Sequence, residues 1–386
     1  MLAAVRALAA LLATVALALP AASAGGSGNA KIAYVLGKRA TIVYLGSPLR
    51  QPIVLAKTGP PRWSGDGRLL SIGGWIVGRA RLPATQLAWA PKGETAAYSK
   101  NDGAVVLWTP RGSRTVVGAS WGATSFAWGP NGQLALGRSI CHVPCGVPRH
   151  QEVWIWRTGS FQRVAGPLRG VSRPIVAGLA PDGRVLWWPD LQGSASIAAD
   201  GLPLYANRNR VTSTLVFPDY VVRCGRHLAV VAGGDRYATH GKRILFDGRD
   251  VSDDATRSWV SPSCTTSGGL VAAAGRNWEE NRFGAEHRAI WELAPARRRL
   301  TQPPSGWTDE SPHLLNDGSV LFVRTRQTAR KQNGEWITTN RGLLEHLVRG
   351  RLTQLADLTF EAKETSGDWL NYYGHYNWPD RIAISP

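Results

Sequence analysis

Residues 63–67 of this chain read Trp-Ser-Gly-Asp-Gly, and the same kind of phrase returns four more times. Each copy joins a large apolar residue to a turn-forming pair and a closing glycine, and a short apolar run follows it. Asp-Gly and Asn-Gly supply the positive φ values of a two-residue hairpin, so each phrase predicts strand, turn and strand. The other copies are residues 89–93, 128–132, 179–183 and 314–318.

The spacing of the phrase predicts the architecture. Two degenerate copies end at Gly225 and Gly268, which places the seven closing glycines at 67, 93, 132, 183, 225, 268 and 318. Their intervals are 26, 39, 51, 42, 43 and 50 residues. Four-stranded propeller blades repeat every ~40–50 residues, so we predict an all-β chain forming a single β-propeller of four-stranded antiparallel blades. The short first interval predicts a trimmed blade.

Ring closure requires the two ends of the propeller to meet. The strands predicted at residues 31–36 and 41–45 have no turn phrase before them, and the segment after Phe360 contains no new phrase. We expect these N- and C-terminal segments to pair and form one composite blade. Seven phrases plus that blade make eight blades, or seven if the short first unit is not a blade of its own.

Tryptophan opens three of the phrases, at positions 63, 89 and 128. Large flat side chains fill the wedge-shaped gaps between blades. We therefore interpret Trp63, Trp89 and Trp128 as packing between blades rather than as platforms for a ligand.

The N-terminus has the pattern of an export signal. Arg6 gives a short positive region, residues 7–19 are apolar, and Ala22-Ser23-Ala24 is a small-residue cleavage site. The apolar stretch is shorter than the ~20 residues that span a bilayer. We expect a signal peptide over residues 1–24 and a propeller domain over residues 25–386, without a transmembrane segment in the mature chain. This predicts a secreted or extracytoplasmic protein of the periplasm or cell envelope, with a retained signal anchor as the alternative.

The chain contains four cysteines, an even number that suits disulfides in an oxidising compartment. We predict one bond between Cys141 and Cys145, and a second between Cys224 and Cys264, which open successive units. The alternative is a metal site, which would use Cys141, His142, Cys145 and His150. Because that spacing matches no standard zinc motif, we expect no metal ion.

The charge balance is strongly basic, with 45 Lys and Arg against 27 Asp and Glu, a net charge of +18. A basic exported protein is attracted to anionic polymers, phospholipid surfaces or extracellular nucleic acid. A compositional bias toward arginine is the simpler explanation. The sequence contains no recognition helix or zinc-finger pattern, so we do not expect sequence-specific nucleic-acid binding.

The repeat unit resembles that of TolB-type β-propellers. The resemblance rests on the Trp-Ser-x-Asp-Gly phrase, on the middle strand Ile290–Leu293, and on the closing elements Arg299-Leu300-Thr301 and Arg351-Leu352-Thr353. It covers residues 60–355, and the N-terminal α/β domain of TolB has no counterpart in this chain. The resemblance implies a rigid platform for a partner.

Two stretches are candidate binding surfaces, because basic residues with aromatic rings, or dense aromatic clusters, are typical of partner sites. The first is a predicted long loop from Arg324 to Arg341, and the second is the aromatic tail after residue 369. The tail rings have an alternative role, which is to seal the ring closure. The candidate residues are Arg324, Arg326, Arg330, Lys331 and Trp336 in the loop, and Tyr372, Tyr373, His375, Tyr376 and Trp378 in the tail.

The sequence favours a binding or scaffold module for a protein or anionic polymer of the cell envelope, acting as a monomer. No nucleotide-binding or other cofactor motif is present, and we expect no cofactor. The alternative is a propeller enzyme, glycosidase- or lyase-like, that acts on an extracellular polymer with unknown catalytic residues. Four or more acids converging on the channel mouth would favour the enzyme.

Overall fold

The chain forms a propeller of eight antiparallel blades in the computed structural model, over the residues that the model describes. These residues are 30–140, 150–168, 173–190, 202–214, 221–233, 241–252, 254–276, 288–363 and 378–386. Within each blade the strands follow one another in chain order, apart from the blade that closes the ring. The first strands of most neighbouring blades contact each other, so these strands lie at the centre of the ring.

The first four blades cover residues 31–168. Blade 1 contains β1 (Lys31–Leu36), β2 (Arg39–Tyr44) and β3 (Arg50–Val54), and blade 2 contains β4 (Pro61–Trp63), β5 (Leu70–Ile72), β6 (Trp75–Ile76) and β7 (Ala80–Arg81). Blade 3 contains β8 (Gln86–Trp89), β9 (Ala96–Ser99), β10 (Val105–Thr109) and β11 (Gly112–Val117). Blade 4 contains β12 (Ala123–Trp128), β13 (Leu134–Ile140), β14 (His150–Arg157) and β15 (Ser160–Leu168).

The last four blades cover residues 173–363. Blade 5 contains β16 (Arg173–Leu179), β17 (Val185–Asp190), β18 (Leu202–Ala206) and β19 (Asn209–Thr214), and blade 6 contains β20 (Val221–Cys224), β21 (His227–Ala232), β22 (Arg243–Phe246) and β23 (Arg249–Asp250). Blade 7 contains β24 (Arg257–Cys264), β25 (Leu270–Arg276), β26 (Ala289–Ala294) and β27 (Arg298–Arg299). Blade 8 contains β28 (Thr308–Leu314), β29 (Val320–Gln332), β30 (Glu335–Val348), β31 (Arg351–Asp357) and the added β32 (Phe360–Lys363).

The ring is closed by the C-terminal strand β33 (Ile382–Ile384), which pairs antiparallel with β1 and becomes the first strand of blade 1. Ile384 lies opposite Ile32, and the Lys31 amide donates to Ser385 Oγ at 2.8 Å. The predicted composite blade is confirmed. The blade count is eight because the short unit, with strands of two or three residues, still forms its own four-stranded sheet.

The turn phrase joins the first two strands of a blade, but the predicted two-residue hairpin is wrong in detail. All seven closing glycines have positive φ, between 59° and 95°. The loop at Asp182-Gly183 contains three residues, since the Ala180 amide donates to the Arg184 carbonyl at 2.8 Å. Asp182 keeps an ordinary φ, and its carboxylate accepts from the Arg184 amide at 3.0 Å. The aspartate therefore stabilises the turn through its side chain.

Two-residue turns with both central residues at positive φ occur elsewhere, in hairpins without the repeated phrase. Examples are Asp247-Gly248, between the last two strands of blade 6, and Asn333-Gly334, between β29 and β30. These turns match the right-handed twist of the strands that they join.

The core lies between the blades, and β25 shows why its sequence is apolar without alternation. Leu270, Ala272 and Ala274 pack toward blade 6, whereas Val271 and Ala273 pack toward blade 8. A second strand is covered on both faces, so both sets of side chains are buried.

The three repeated tryptophans connect neighbouring blades, as predicted. Each indole Nε1 donates to a carbonyl on the first strand of the preceding blade: Trp63 to Ala383 at 3.2 Å, Trp89 to Arg62 at 3.2 Å and Trp128 to Ala88 at 2.9 Å. We call these contacts the tryptophan latches. They combine apolar packing with a satisfied buried donor.

A disulfide joins Cys224 at the end of β20 to Cys264 at the end of β24, with a Cα–Cα distance of 5.7 Å. The predicted cross-link between neighbouring units is confirmed, and it ties blade 6 to blade 7. Cys264 stands four residues before the closing Gly268, the position that Trp63 holds before Gly67. The other predicted bond, Cys141–Cys145, lies outside the described residues.

Candidate functional site

The predicted loop from Arg324 to Arg341 is wrong, because this segment is part of a long β-hairpin. The strand β28 pairs with β29 only as far as Thr325, whereas the β29–β30 ladder continues to Gln332 opposite Glu335. We call residues 326–341 the arm. Its polar residues suggested a loop, but they alternate along two extended strands, and Asn333-Gly334 is the turn signal between them.

The arm separates the predicted surface onto two faces, since side chains opposite each other on paired strands share a face. Arg326 lies opposite Arg341, and Arg330 lies opposite Ile337 on the same face. Lys331 and Trp336 lie opposite each other on the other face. The basic and aromatic residues therefore do not form one mixed surface.

Arg324 is directed into the blade. Its Nε and Nη2 donate to the two carboxylate oxygens of Asp309 at 2.7 and 2.9 Å, and Asp309 is fully buried. This paired hydrogen bond raises the pKa of Arg324 above its ordinary value. Arg324 thus neutralises a buried acid, and we remove it from the candidate surface.

Arg326 and Arg341 are both exposed and face each other across the arm. Among the residues that the structure describes, neither guanidinium is paired with a carboxylate. Arg341 lies over the Trp307 ring at 5.8 Å, and the neighbouring Arg330 contacts Glu361 of β32 at 3.2 Å. In the described part of the chain, the arm therefore presents two adjacent cations that form no ion pair of their own.

The aromatic tail is described only from Trp378 onward, so Tyr372, Tyr373, His375 and Tyr376 lie outside the described residues. Trp378 is 1 % exposed and belongs to a core cluster with Ile32 and Leu358. A Cβ at Gly342 would lie 2.8 Å from its ring, so the glycine makes room for the indole. Trp378 is therefore not a surface residue. It packs at the ring closure, which was the alternative role predicted for the tail rings.

Buried charges cross the junction of blades 7 and 8. Arg288, which precedes β26, lies 3.5 Å from Glu310 of β28, and both side chains are buried. Burial raises the pKa of Glu310 to about 7, and the nearby Arg288 opposes that rise. Sequence reasoning missed these residues, although an acid pair such as Asp309-Glu310 inside a strand is a signal of buried ion pairs.

A cavity of about 420 Å³ lies among the first strands of blades 6, 7, 8 and 1. We call it the central cavity. Its lining is mostly apolar and includes Trp378, Ile382 and Ile384. The polar side chains of its described lining are Arg223, Ser261, Ser311 and His313. No carboxylate is among these lining residues, so the described wall does not offer the paired acids of glycosidase chemistry.

Two serines of the lining have strained backbones. Ser261 and Ser311 have φ values of 51° and 48°, and each lies where the register between the first two strands of its blade shifts. A non-glycine residue in this region costs free energy, and such residues cluster at binding and catalytic sites. The missed signal was a repeated Ser-Pro dipeptide, seven residues before Gly268 and again before Gly318.

The two basic residues of the central cavity differ in charge. Burial lowers the pKa of His313 to about 4, so its imidazole is neutral at pH 7. Burial also lowers the pKa of Arg223, but a guanidinium still stays charged near neutrality. Arg223 Nε is buried and has no hydrogen-bond partner in the described part of the protein.

Within the described ranges, no helix is long and apolar enough to cross a membrane. The same residues contain no cluster of three or more His, Cys, Asp or Glu side chains arranged to hold a metal ion. Of the alternative metal site, Cys141, His142 and Cys145 lie outside those ranges.

No family model matches the chain, and no curated protein is similar to it in sequence. Among solved structures, the chain is similar to the β-propeller domain of the Trilobed protease from Pyrococcus furiosus, with 12% identity, 85% of this chain and 98% of that chain covered, and a TM-score of 0.41. It is also similar to the acylaminoacyl peptidase of Pyrococcus horikoshii. The match to its orthorhombic crystal form has 12% identity and a TM-score of 0.43, and it covers 83% of this chain and 48% of that chain. The match to its uncomplexed form has 10% identity and a TM-score of 0.44, and it covers 85% of this chain and 53% of that chain. The chain thus spans about half of that peptidase, and these likenesses concern the fold alone.

Proposed function

We propose that this chain is a binding module of the TolB-like propeller class, which holds an anionic polymer of the cell envelope on the basic face of its arm. The observation that carries the proposal is the Arg326–Arg341 pair, two exposed arginines at directly opposite positions of paired strands. Like charges in such a pair destabilise a hairpin. A bound polyanion turns that repulsion into attraction for both groups.

The chemistry of the arm suits repeated anionic groups. Guanidinium groups bind carboxylate or phosphate oxygens through two parallel hydrogen bonds, and the rigid ladder holds Arg326 and Arg341 side by side. The net charge of +18 adds long-range attraction, which increases the rate of encounter.

The cellular compartment is part of the same proposal. The Cys224–Cys264 bond supports an oxidising environment, where disulfides persist. The signal-peptide pattern of residues 1–24 agrees with export. An exported basic platform meets envelope polymers that carry carboxylate or phosphate groups.

The test is binding of fluorescently labelled poly-L-glutamate to the purified protein, followed by anisotropy at low and at physiological salt. The variant is Arg326→Gln/Arg341→Gln, and the matched control is Arg111→Gln/Arg208→Gln, which removes two exposed arginines from turns of other blades. Both doubles lower the net charge equally, so only the position of the charge differs.

We expect the arm double to bind roughly tenfold or more weakly, since two charge-assisted contacts are lost. The control double should stay within about twofold of the native protein, and salt should weaken binding throughout. Equal affinities of the two doubles would contradict the proposal. So would the absence of binding to poly-L-glutamate and to polyphosphate at low salt.

A further inference from the structure

The central cavity is a separate place from the arm, and its position in the fold makes it suitable for a small ligand. It is bounded by β20, β24, β28 and β33, each the first strand of its blade. A first strand has a neighbour on one side only, so its other edge presents backbone N–H and C=O groups to the channel. A cavity of about 420 Å³ falls within the size range of small-molecule sites.

The wall of the central cavity divides by polarity. Pro262, Pro312, Trp378, Ile382 and Ile384 give an apolar surface, while Arg223 provides the charge. Ligand sites in proteins are commonly built in this way, from an apolar wall with a few polar groups that orient the ligand.

Arg223 is the residue whose chemistry requires an explanation. Its Nε is buried without a hydrogen-bond partner in the described part of the chain, and burial is the cause of its lowered pKa. The Arg223 side chain is half-buried, so its guanidinium is partly desolvated, and its buried N–H donor without an acceptor costs free energy. A bound carboxylate would supply both the acceptor and the charge.

We propose that the central cavity binds a small molecule that has one carboxylate and an apolar body, with Arg223 pairing with the carboxylate and the Trp378–Ile384 side of the wall covering the body. The strained Ser261 and Ser311 lie in the same wall and place hydroxyl groups there. The ligand carries a single negative charge, because His313 is neutral and Arg223 is the one cation of the described lining. A phosphate monoester carries up to two charges near pH 7, and the second would be buried without a partner.

The experiment uses the full chain and three related probes: 4-phenylbutanoate, its neutral amide 4-phenylbutanamide, and 3-phenylpropyl phosphate. Calorimetric titration gives the affinities. Methyl spectra of isoleucine-labelled protein give the location, since Ile382 and Ile384 line the cavity whereas Ile42 and Ile155 are not among its lining residues and belong to other core clusters. The variants are Arg223→Gln and Arg223→Lys, with Arg208→Gln as the exposed control.

We expect the carboxylate to bind at least tenfold more tightly than the amide, and the Ile382 and Ile384 signals to shift while those of Ile42 and Ile155 do not. Arg223→Gln should lose at least tenfold in affinity for the carboxylate and less than threefold for the amide. Arg223→Lys should retain most of the discrimination, and Arg208→Gln should retain all of it.

Equal binding of carboxylate and amide by the native chain would overturn the proposal, and this comparison holds even if Arg223→Gln fails to fold. Tighter binding of the phosphate would overturn the single-charge assignment. Shifts confined to isoleucines outside the cavity would overturn its location.

Discussion

Blades 2–4 and blades 5–8 contact the preceding blade by different chemistry at one equivalent position. In the first group, a tryptophan four residues before the closing glycine donates a hydrogen bond to the preceding blade. In the second group that position is held by Leu179, Val221, Cys264 or Leu314. The difference shows that the fold requires a cross-blade contact at this place but does not prescribe its chemistry.

The leucine junctions work by close packing. A Cβ at Gly129 would lie 2.8 Å from Leu179 Cδ2, and one at Gly269 would lie 3.1 Å from Leu314 Cδ2. A glycine on one blade therefore receives the leucine of the next blade. The disulfide at Cys264 replaces this packing with a covalent bond. The following predictions test how strong each kind of junction is.

The closure of the ring at blade 1 should be the most sensitive place, because no hairpin turn connects β33 to β1, and hydrogen bonds and side-chain packing alone hold the two strands together. Removing residues 378–386 deletes β33 and Trp378, and it exposes the edge of β1. Each large buried side chain contributes roughly 1.5–3 kcal/mol, so the loss rivals the ~5–15 kcal/mol stability of a typical domain. We expect aggregation, or a melting temperature lower by more than about 10 °C. A soluble monomer with an unchanged melting temperature would show that β33 does not close the ring.

The disulfide junction should come next. Cys224→Ala/Cys264→Ala removes a cross-link that spans 40 residues, and we expect the free energy of unfolding to fall by about 2–4 kcal/mol. Urea denaturation of the variant and of the native protein, each with and without reductant, measures the effect. Reductant should destabilise the native protein more than the variant, which keeps the predicted Cys141–Cys145 bond. A variant as stable as the oxidised native protein would mean that packing alone holds blades 6 and 7.

The stability of blade 8 should depend on pH, because its first strand β28 contains both Glu310 and His313. Glu310 has a pKa of about 7 in the folded chain against 4.5 in its ordinary state, so its contribution to stability falls as pH rises from 4.5 to 7. His313 has a pKa of about 4 against 6.5, so its contribution rises from pH 4 to 6.5. The two effects oppose each other in the shared window, and each amounts to at most about 3 kcal/mol.

Single variants should reveal these opposed effects. The free energy of unfolding of His313→Gln should fall as pH rises from 4.5 to 7. That of Glu310→Gln should rise from pH 4 to 6.5, whereas the native protein should change less over the same range. Urea midpoints across this pH range measure both slopes. Parallel profiles for the two variants would contradict the assignment of opposed titrations.

A tryptophan latch should be weaker than either of these junctions. Trp89→Phe and Trp128→Phe keep most of the ring but remove the indole N–H, and we expect each to cost about 1 kcal/mol. The double variant should depart from additivity, because Trp128 donates to the carbonyl of Ala88, the residue next to Trp89. Trp336→Phe is the control, an exposed residue outside the junctions. If Trp89→Phe or Trp128→Phe lost no more stability than Trp336→Phe, the indole hydrogen bonds would make no contribution beyond packing.

The arm tip should have the smallest effect, since it belongs to no junction. Removing residues 329–335 deletes the exposed turn at Asn333-Gly334 and leaves the blade part of β29 and β30 intact. We expect the melting temperature to change by less than about 2 °C, because surface changes cost little. A large loss measured by calorimetry would show that the arm supports blade 8.

Local chemistry explains which features were predictable from sequence. The closing glycines and the repeated units follow from turn residues and their spacing, and the position of Cys224 and Cys264 in successive units predicted their bond. The three-residue loop at Asp182 was missed because Asp-Gly suits two kinds of turn, and only the backbone path distinguishes them. The arm was missed because its charged residues suggested a loop, although they alternate along strands.

The sequence by itself determined the order of the blades and limited their number to seven or eight, since each turn phrase acts over a few residues wherever it occurs. It also predicted that the ends pair, because neither terminal segment has a turn phrase of its own. Only the tertiary structure decided that Trp378 is buried, that Arg324 pairs with Asp309, and that Arg223 shares a cavity with His313. Residues of the central cavity come from four blades, and their separation along the chain carries no signal of their proximity. Closing the ring brings them together, which is why this site appears only in the folded protein.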